Sequence, residues 1–151
     1  MLLSEILSPE QVVMPVAARD KHGVIAELTR HLTELLGGDY AEVLEAVKER
    51  EAGGSTGIGF GVAIPHARSP AVKELSLICG VSHSPVPYDS IDGEPVRLFF
   101  LIVAPAESAG QHVRVLSRIA TLVRRESVRK QLCEAVTPDE FYNILRDAEA
   151  P

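Results

Sequence analysis

Apolar residues recur at helical spacing in two blocks near the start of the chain, and polar residues mark where each block begins and ends. Asp20 stands ahead of Val24, Ile25, Leu28, Leu32, Leu35 and Leu36, which share one face of a predicted helix that Asp20 can cap. Gly37-Gly38 closes it. Asp39, with Glu42 three positions on, predicts a second helix with an inward stripe of Tyr40, Val43, Leu44 and Val47, running out at Arg50-Glu51. Ahead of both, Val12, Val13 and Val16 around Pro15 predict a short strand near a sheet edge, because proline has no amide hydrogen for the ladder.

The pattern then changes to short apolar runs. Val62–Ile64, Leu75–Val81 and Val96–Val103 read as strands. The last is almost continuously apolar, which predicts a central strand covered on both faces, entered through the turn at Ile91–Pro95. Helical spacing returns after Pro105. A helix from about Ser108 to Arg125 is predicted to bury Leu116, Ile119, Ala120 and Val123, and a shorter one covers Ser127 to Ala135. Thr137-Pro138-Asp139-Glu140 combines a cap, a proline in the first turn and a glutamate, and starts a final helix striped by Phe141, Ile144, Leu145 and Ala148. The order, roughly β-α-α-β-β-β-α-α-α, implies an α+β fold of three layers (α/β/α), a mixed sheet flanked by helices on both faces. With no repeat or linker in between, residues 1–151 read as a single domain.

Composition narrows the function. A net charge of −6 without a basic stripe argues against a general nucleic-acid binder. Cys79 and Cys133 are too few and too scattered for a disulfide framework or a zinc site. His22, His31 and His83 form no ligand spacing, so no metal is expected. No apolar run approaches the ~20 residues of a membrane span, and the opening residues lack the features of a signal peptide, so a cytoplasmic protein is expected.

The chemistry concentrates in Gly53–His66, where five of the eleven glycines fall within nine residues, followed by an apolar run ending in Pro65-His66. Glycines let another group approach the backbone, and successive amides can converge on an anion. A neutral imidazole is a nucleophile able to form a covalent phospho intermediate. Ser55 and Thr56 offer hydroxyls and Gly57, Gly59 and Gly61 accessible amides to the oxygens of a phosphoryl group on His66. Arg50 suits equally a phosphate ligand and a charge near a helix C-terminus. For Arg68 and for His112, in the first turn of a helix beside Gln111, local sequence favours ordinary structural placement. The loop lacks the lysine of a P-loop and the acidic partner of a dinucleotide fold, and Ser55 is not in a Gly-x-Ser-x-Gly elbow. Cys79 reads as core.

These residues carry a resemblance. Arg50-Glu51, Gly54-Ser55-Thr56-Gly57-Ile58-Gly59 and Gly61-Val62-Ala63-Ile64-Pro65-His66 resemble the phosphorylation motif of the enzyme IIA family of the bacterial phosphoenolpyruvate-dependent phosphotransferase system, in its mannitol/fructose and nitrogen-regulatory branch. Pro87–Val96 and Gln111-His112 through Leu116-Ser117 fit the same family, and the similarity spans about Leu3 to Ala148. It implies that His66 is the phosphorylated residue, that Arg50 and His112 support the phosphate, and that no cofactor is needed. The implied donor is the phosphohistidine of the carrier HPr or a relative. The implied outcome is transfer to a cysteine of an enzyme IIB in sugar uptake, or regulation by phosphorylation state, towards which Leu3–Leu7 leans. A scaffold domain of the related anion-transporter type is the alternative, and it leaves the loop and histidine unexplained. Phe60 departs from the family pattern, which more often has asparagine there.

Overall fold

The computed structural model describes residues 1–150. Its centre is strand β6 (Val96–Ala104), which pairs antiparallel with β5 (Ser76–Val86) on one side. On the other side it runs parallel to β3 (Val62–Ala63) and then to β4 (His66–Arg68). The sheet closes outward with β1 (Val12–Val13) parallel to β5 at one edge and β2 (Gly57–Gly59) antiparallel to β3 at the other. β6 is central and β1 is an edge, as the apolar run and Pro15 predict.

The near-continuous apolar run of β6 serves two cores by alternation. Leu98, Phe100 and Ile102 face α1 (Leu3–Ile6), α4 (Ala109–Leu122), α5 (Glu126–Glu134) and α6 (Pro138–Glu149), while Phe99, Leu101 and Val103 face α2 (Lys21–Leu36) and α3 (Tyr40–Ala52). The three-layer α/β/α arrangement follows. The predicted caps form: Asp20 accepts from the Gly23 amide at 2.6 Å, Asp39 from Glu42 at 2.9 Å and Thr137 from Glu140 at 3.1 Å.

Several boundaries differ from the sequence pattern. The buried stripe of α2 stops at Leu32. Leu35 and Leu36, in its final turn, are exposed. The α4 stripe is rotated by one position: Val115, Ile119, Leu122 and Val123 are buried, and Leu116 and Ala120 are only half-buried. Two interleaved apolar sets on one helix cannot be ranked without knowing where the sheet lies. β5 continues five residues beyond Val81, through a register shift and an exposed stretch at His83–Pro85 that lacks the apolar signal. The predicted strand Val62–Ile64 is interrupted at Ile64-Pro65 and resumes at His66. The loop glycines Gly57–Gly59 form a strand, because hairpin pairing overrides their poor propensity. α1 and the 3-10 turn at Pro9–Gln11 are too short to show a period.

The β2–β3 hairpin turns through Gly59, Phe60 and Gly61, all at positive φ. Phe60, at φ 60°, is 65% exposed, with the Arg129 guanidinium over its ring, 4.7 Å from the centroid. A left-handed non-glycine residue costs about 1–2 kcal/mol, against about 0.5 kcal/mol from an exposed cation–π contact. Asparagine tolerates that conformation better, so Phe60→Asn should stabilise the domain by about 1 kcal/mol. Urea midpoints measure this, and a midpoint equal to or below wild type refutes it.

Candidate functional site

His66 opens β4 directly opposite Ile102 of β6, so its side chain leaves the sheet on the face that α4 covers. β4 has no strand on its other side, which leaves the ring half-exposed at the sheet edge. Its Nδ1 lies 2.8 Å from the carbonyl oxygen of Ile64. A carbonyl only accepts, so Nδ1 carries the hydrogen and the lone pair of the neutral ring sits on Nε2. Burial, reinforced by the Arg50 charge, holds the pKa of His66 below its ordinary value of 6.5, outweighing the Ile64 bond and the Glu51 charge. The ring is therefore neutral near pH 7.

His112, in the first turn of α4, meets it edge-on, with ring centroids 5.1 Å apart at 69°. Its Nε2 is buried and has no hydrogen-bond partner, and such an atom is uncommon in a native interior. Burial, with the nearby His66 and Arg68 charges, pushes the His112 pKa down to about 4. Arg50, in the last turn of α3, reaches round the sheet edge and donates to the Gly54 carbonyl at 2.8 Å. The three residues line one open depression of about 680 Å³, together with Arg68; Arg50 and His66 also line a second, of about 360 Å³, with Ser55 and Thr56, and Leu116 is on the wall of both.

The glycine loop is largely occupied with its own structure. Ser55 Oγ donates to the Tyr88 carbonyl at 3.1 Å and accepts from the Gly57 amide at 3.1 Å. Thr56 is buried, and its amide and hydroxyl both bond to Glu51. Gly57 and Gly59 line neither depression. A side chain at Gly57 would run into Ser90, and Gly59 holds φ 97° beside Asp92. Their glycines serve close approach and the hairpin turn. So the structure gathers His66, His112, Arg50, Ser55 and Thr56 at one place and leaves Gly57 and Gly59 behind it.

Residues 5–148 match the family described as Phosphoenolpyruvate-dependent sugar phosphotransferase system, EIIA 2. The chain belongs to this family. Over 146 residues it is 36% identical to the PTS system fructose-specific EIIABC component of Bacillus subtilis, covering 96% of this chain and 23% of that longer protein. Over 145 residues it is 31% identical to the Nitrogen regulatory protein of Bradyrhizobium diazoefficiens, covering 96% and 95%. The crystal structure of Nitrogen Regulatory Protein IIA-Ntr from Neisseria meningitidis superposes with a TM-score of 0.89 at 34% identity, over 95% of this chain and 98% of that one. The enzyme IIAMTL–phosphorylated enzyme IIBMTL complex from Escherichia coli shows the same fold, with a TM-score of 0.81 at 20% identity over 93% and 97%.

In this EIIA-family site one feature departs from the sequence expectation of ordinary placement and another escapes sequence reasoning. Arg68 borders the larger depression with both histidines, because β4 resumes after Pro65 and places it two residues beyond His66. Beneath the loop lies a buried ion pair, Lys21 Nζ to Glu51 at 2.8 Å, with Tyr88 OH 3.4 Å from the same carboxylate. Burial alone would raise the Glu51 pKa, but Lys21 and Thr56 together hold it below the usual 4.5. Glu51 follows Arg50 directly, yet nothing in the spacing signals a partner thirty residues upstream. The remaining histidines lie elsewhere: His22 and His83 are exposed, and His31 donates to the Glu10 carbonyl. Burial raises the thiol pKa of both Cys79 and Cys133. Among the described residues no helix is long and apolar enough to cross a membrane.

Proposed function

We propose that this chain is a phosphocarrier whose His66 Nε2 accepts a phosphoryl group from the phosphohistidine of an HPr-type carrier in the cytoplasm. The observation that carries the reading is the pairing of a tautomer-locked ring with a second imidazole, 5.1 Å away between ring centroids, whose buried Nε2 has no partner. The Nε2 lone pair attacks phosphorus in line. The donor N–P bond breaks with its electrons staying on the departing imidazole, and a new N–P bond forms on His66. Nδ1 keeps its hydrogen on the Ile64 carbonyl throughout, so the phosphorylated ring stays protonated and remains a good leaving group. His112 Nε2 gains in the phosphoryl oxygens the partner it otherwise lacks. Arg50 turns its guanidinium to the same oxygens, with Arg68 at the rim. Ser55, Thr56, Gly57 and Gly59 contribute by holding the loop's shape.

The phosphoryl group then passes to a cysteine of an enzyme IIB in fructose- or mannitol-type uptake, or the phosphorylation state itself controls another protein. Similarity to the fructose-specific component supports the first outcome. The second is supported by similarity to the nitrogen regulatory relatives, 31% and 34% identical to this chain.

Incubation with enzyme I, phosphoenolpyruvate and an HPr-type carrier, followed by NMR of the histidine nitrogens, tests the reading. The expected product carries acid-labile phosphate on Nε2 of His66. Phosphate on Nδ1, on another residue, or none at all overturns it, the last in favour of a scaffold domain. In the same assay Arg50→Ala should slow transfer by about 10²–10³-fold, the effect of losing one such donor, with an unchanged melting temperature.

A further inference from the structure

The buried Lys21–Glu51 pair lines neither depression, yet its hydrogen bonds lead to the nucleophile. The Glu51 carboxylate accepts from the Thr56 amide at 2.8 Å and from the Thr56 hydroxyl at 2.5 Å. The Thr56 carbonyl accepts from the Ile64 amide at 3.0 Å, and the Ile64 carbonyl accepts from His66 Nδ1 at 2.8 Å. Each link is a short bond to main chain, so the position of Glu51 propagates to the oxygen that selects the His66 tautomer and sets its ring plane. Lys21, on the first turn of α2, pins Glu51 from the other side, with its ammonium 4.9 Å from the centroid of the Tyr88 ring. Ser55 Oγ on the Tyr88 carbonyl ties in the remaining corner of the loop. A buried ion pair adds little net stability over an apolar pair of similar shape, so holding a geometry accounts for it better.

We propose that Glu51, held by Lys21, is a positioning residue for His66: through Thr56 and Ile64 it keeps Nδ1 protonated and aims Nε2 into the depression. Glu51 touches neither the phosphoryl group nor the nucleophile. The inference rests on the phosphocarrier reading for its catalytic consequence, but the tautomer it predicts is measurable without any transfer.

The test uses the full chain and two readouts. Ring nitrogen shifts give the fraction of His66 in the Nδ1–H form. Single-turnover transfer from an HPr-type phosphocarrier gives the rate at saturation and the half-saturating concentration. Glu51→Gln strands the Lys21 charge, so the neutral pair Glu51→Gln/Lys21→Met serves if the single variant does not fold. In either variant the Nδ1–H fraction should drop well below wild type, and the saturating rate should fall about tenfold or more, with half-saturation within about twofold, as expected when transition-state alignment rather than docking is lost. Thr56→Val, which removes the hydroxyl bond to Glu51, should lower the Nδ1–H fraction in the same direction. A folded neutral-pair variant with wild-type tautomer and rate overturns the proposal. If the wild type accepts no phosphate, the phosphocarrier reading fails and the tautomer measurement alone decides the positioning role.

Discussion

Alanine in place of His66 should leave the chain folded and, on the phosphocarrier reading, unable to take up phosphate. The ring is half-exposed at the sheet edge, and the backbone of β4 keeps its pairing with Ile102, Val103 and Ala104. The stability cost is that of one hydrogen bond and one edge contact between rings, about 1–2 kcal/mol. The chemical cost is near total, because the ring that carries the nucleophilic lone pair is gone and the neighbouring Arg50 and Arg68 are guanidinium cations with none to offer. Acid-labile label should fall below about 1% of wild type, as for loss of a covalent nucleophile, with circular dichroism unchanged. Wild-type stoichiometry on the variant would show that the phosphoryl group resides elsewhere.

Acid should weaken the fold through the imidazoles of His112 and His66. In the folded chain the His112 pKa is about 4, against 6.5 for an unperturbed histidine. Between those values the unfolded chain binds a proton that the folded chain does not, so stability rises with pH there. The contribution is fully present above pH 6.5 and is lost progressively towards pH 4, amounting to about 3 kcal/mol at most. His66, also depressed, adds in the same direction. Glu51 acts in a separate window: its lowered pKa contributes stability above 4.5 that is lost only at lower pH. Urea midpoints at pH 7, 5.5 and 4 measure the slope. His112→Asn should flatten it markedly between pH 6.5 and 4, and a variant with the wild-type slope sinks the assignment. Phosphorylation should flatten it too, since a phosphoryl dianion beside His112 favours the charged ring.

Much of this molecule is written locally. Asp20, Asp39 and Thr137 cap because each side chain reaches an amide three residues on. β6 is legible because only a strand buried on both faces tolerates eight apolar residues with one arginine among them. Gly53–His66 announces chemistry because so many glycines together are costly to order unless a backbone must bend or be approached. The site itself is tertiary. Arg50 and His112 come from helices on opposite faces of the sheet, and they meet only because β4 ends the sheet where His66 begins it. The rotation of α4 that leaves Leu116 at the depression rather than in the core depends on where the sheet lies. Which loop groups face the depression depends on Glu51 and Lys21, a pair joined across thirty residues by burial. Hydrophobic period and capping act within a few residues and so can be read along the chain. Convergence of charges and the fate of each hydrogen bond depend on distances between elements, and the packed layers set those.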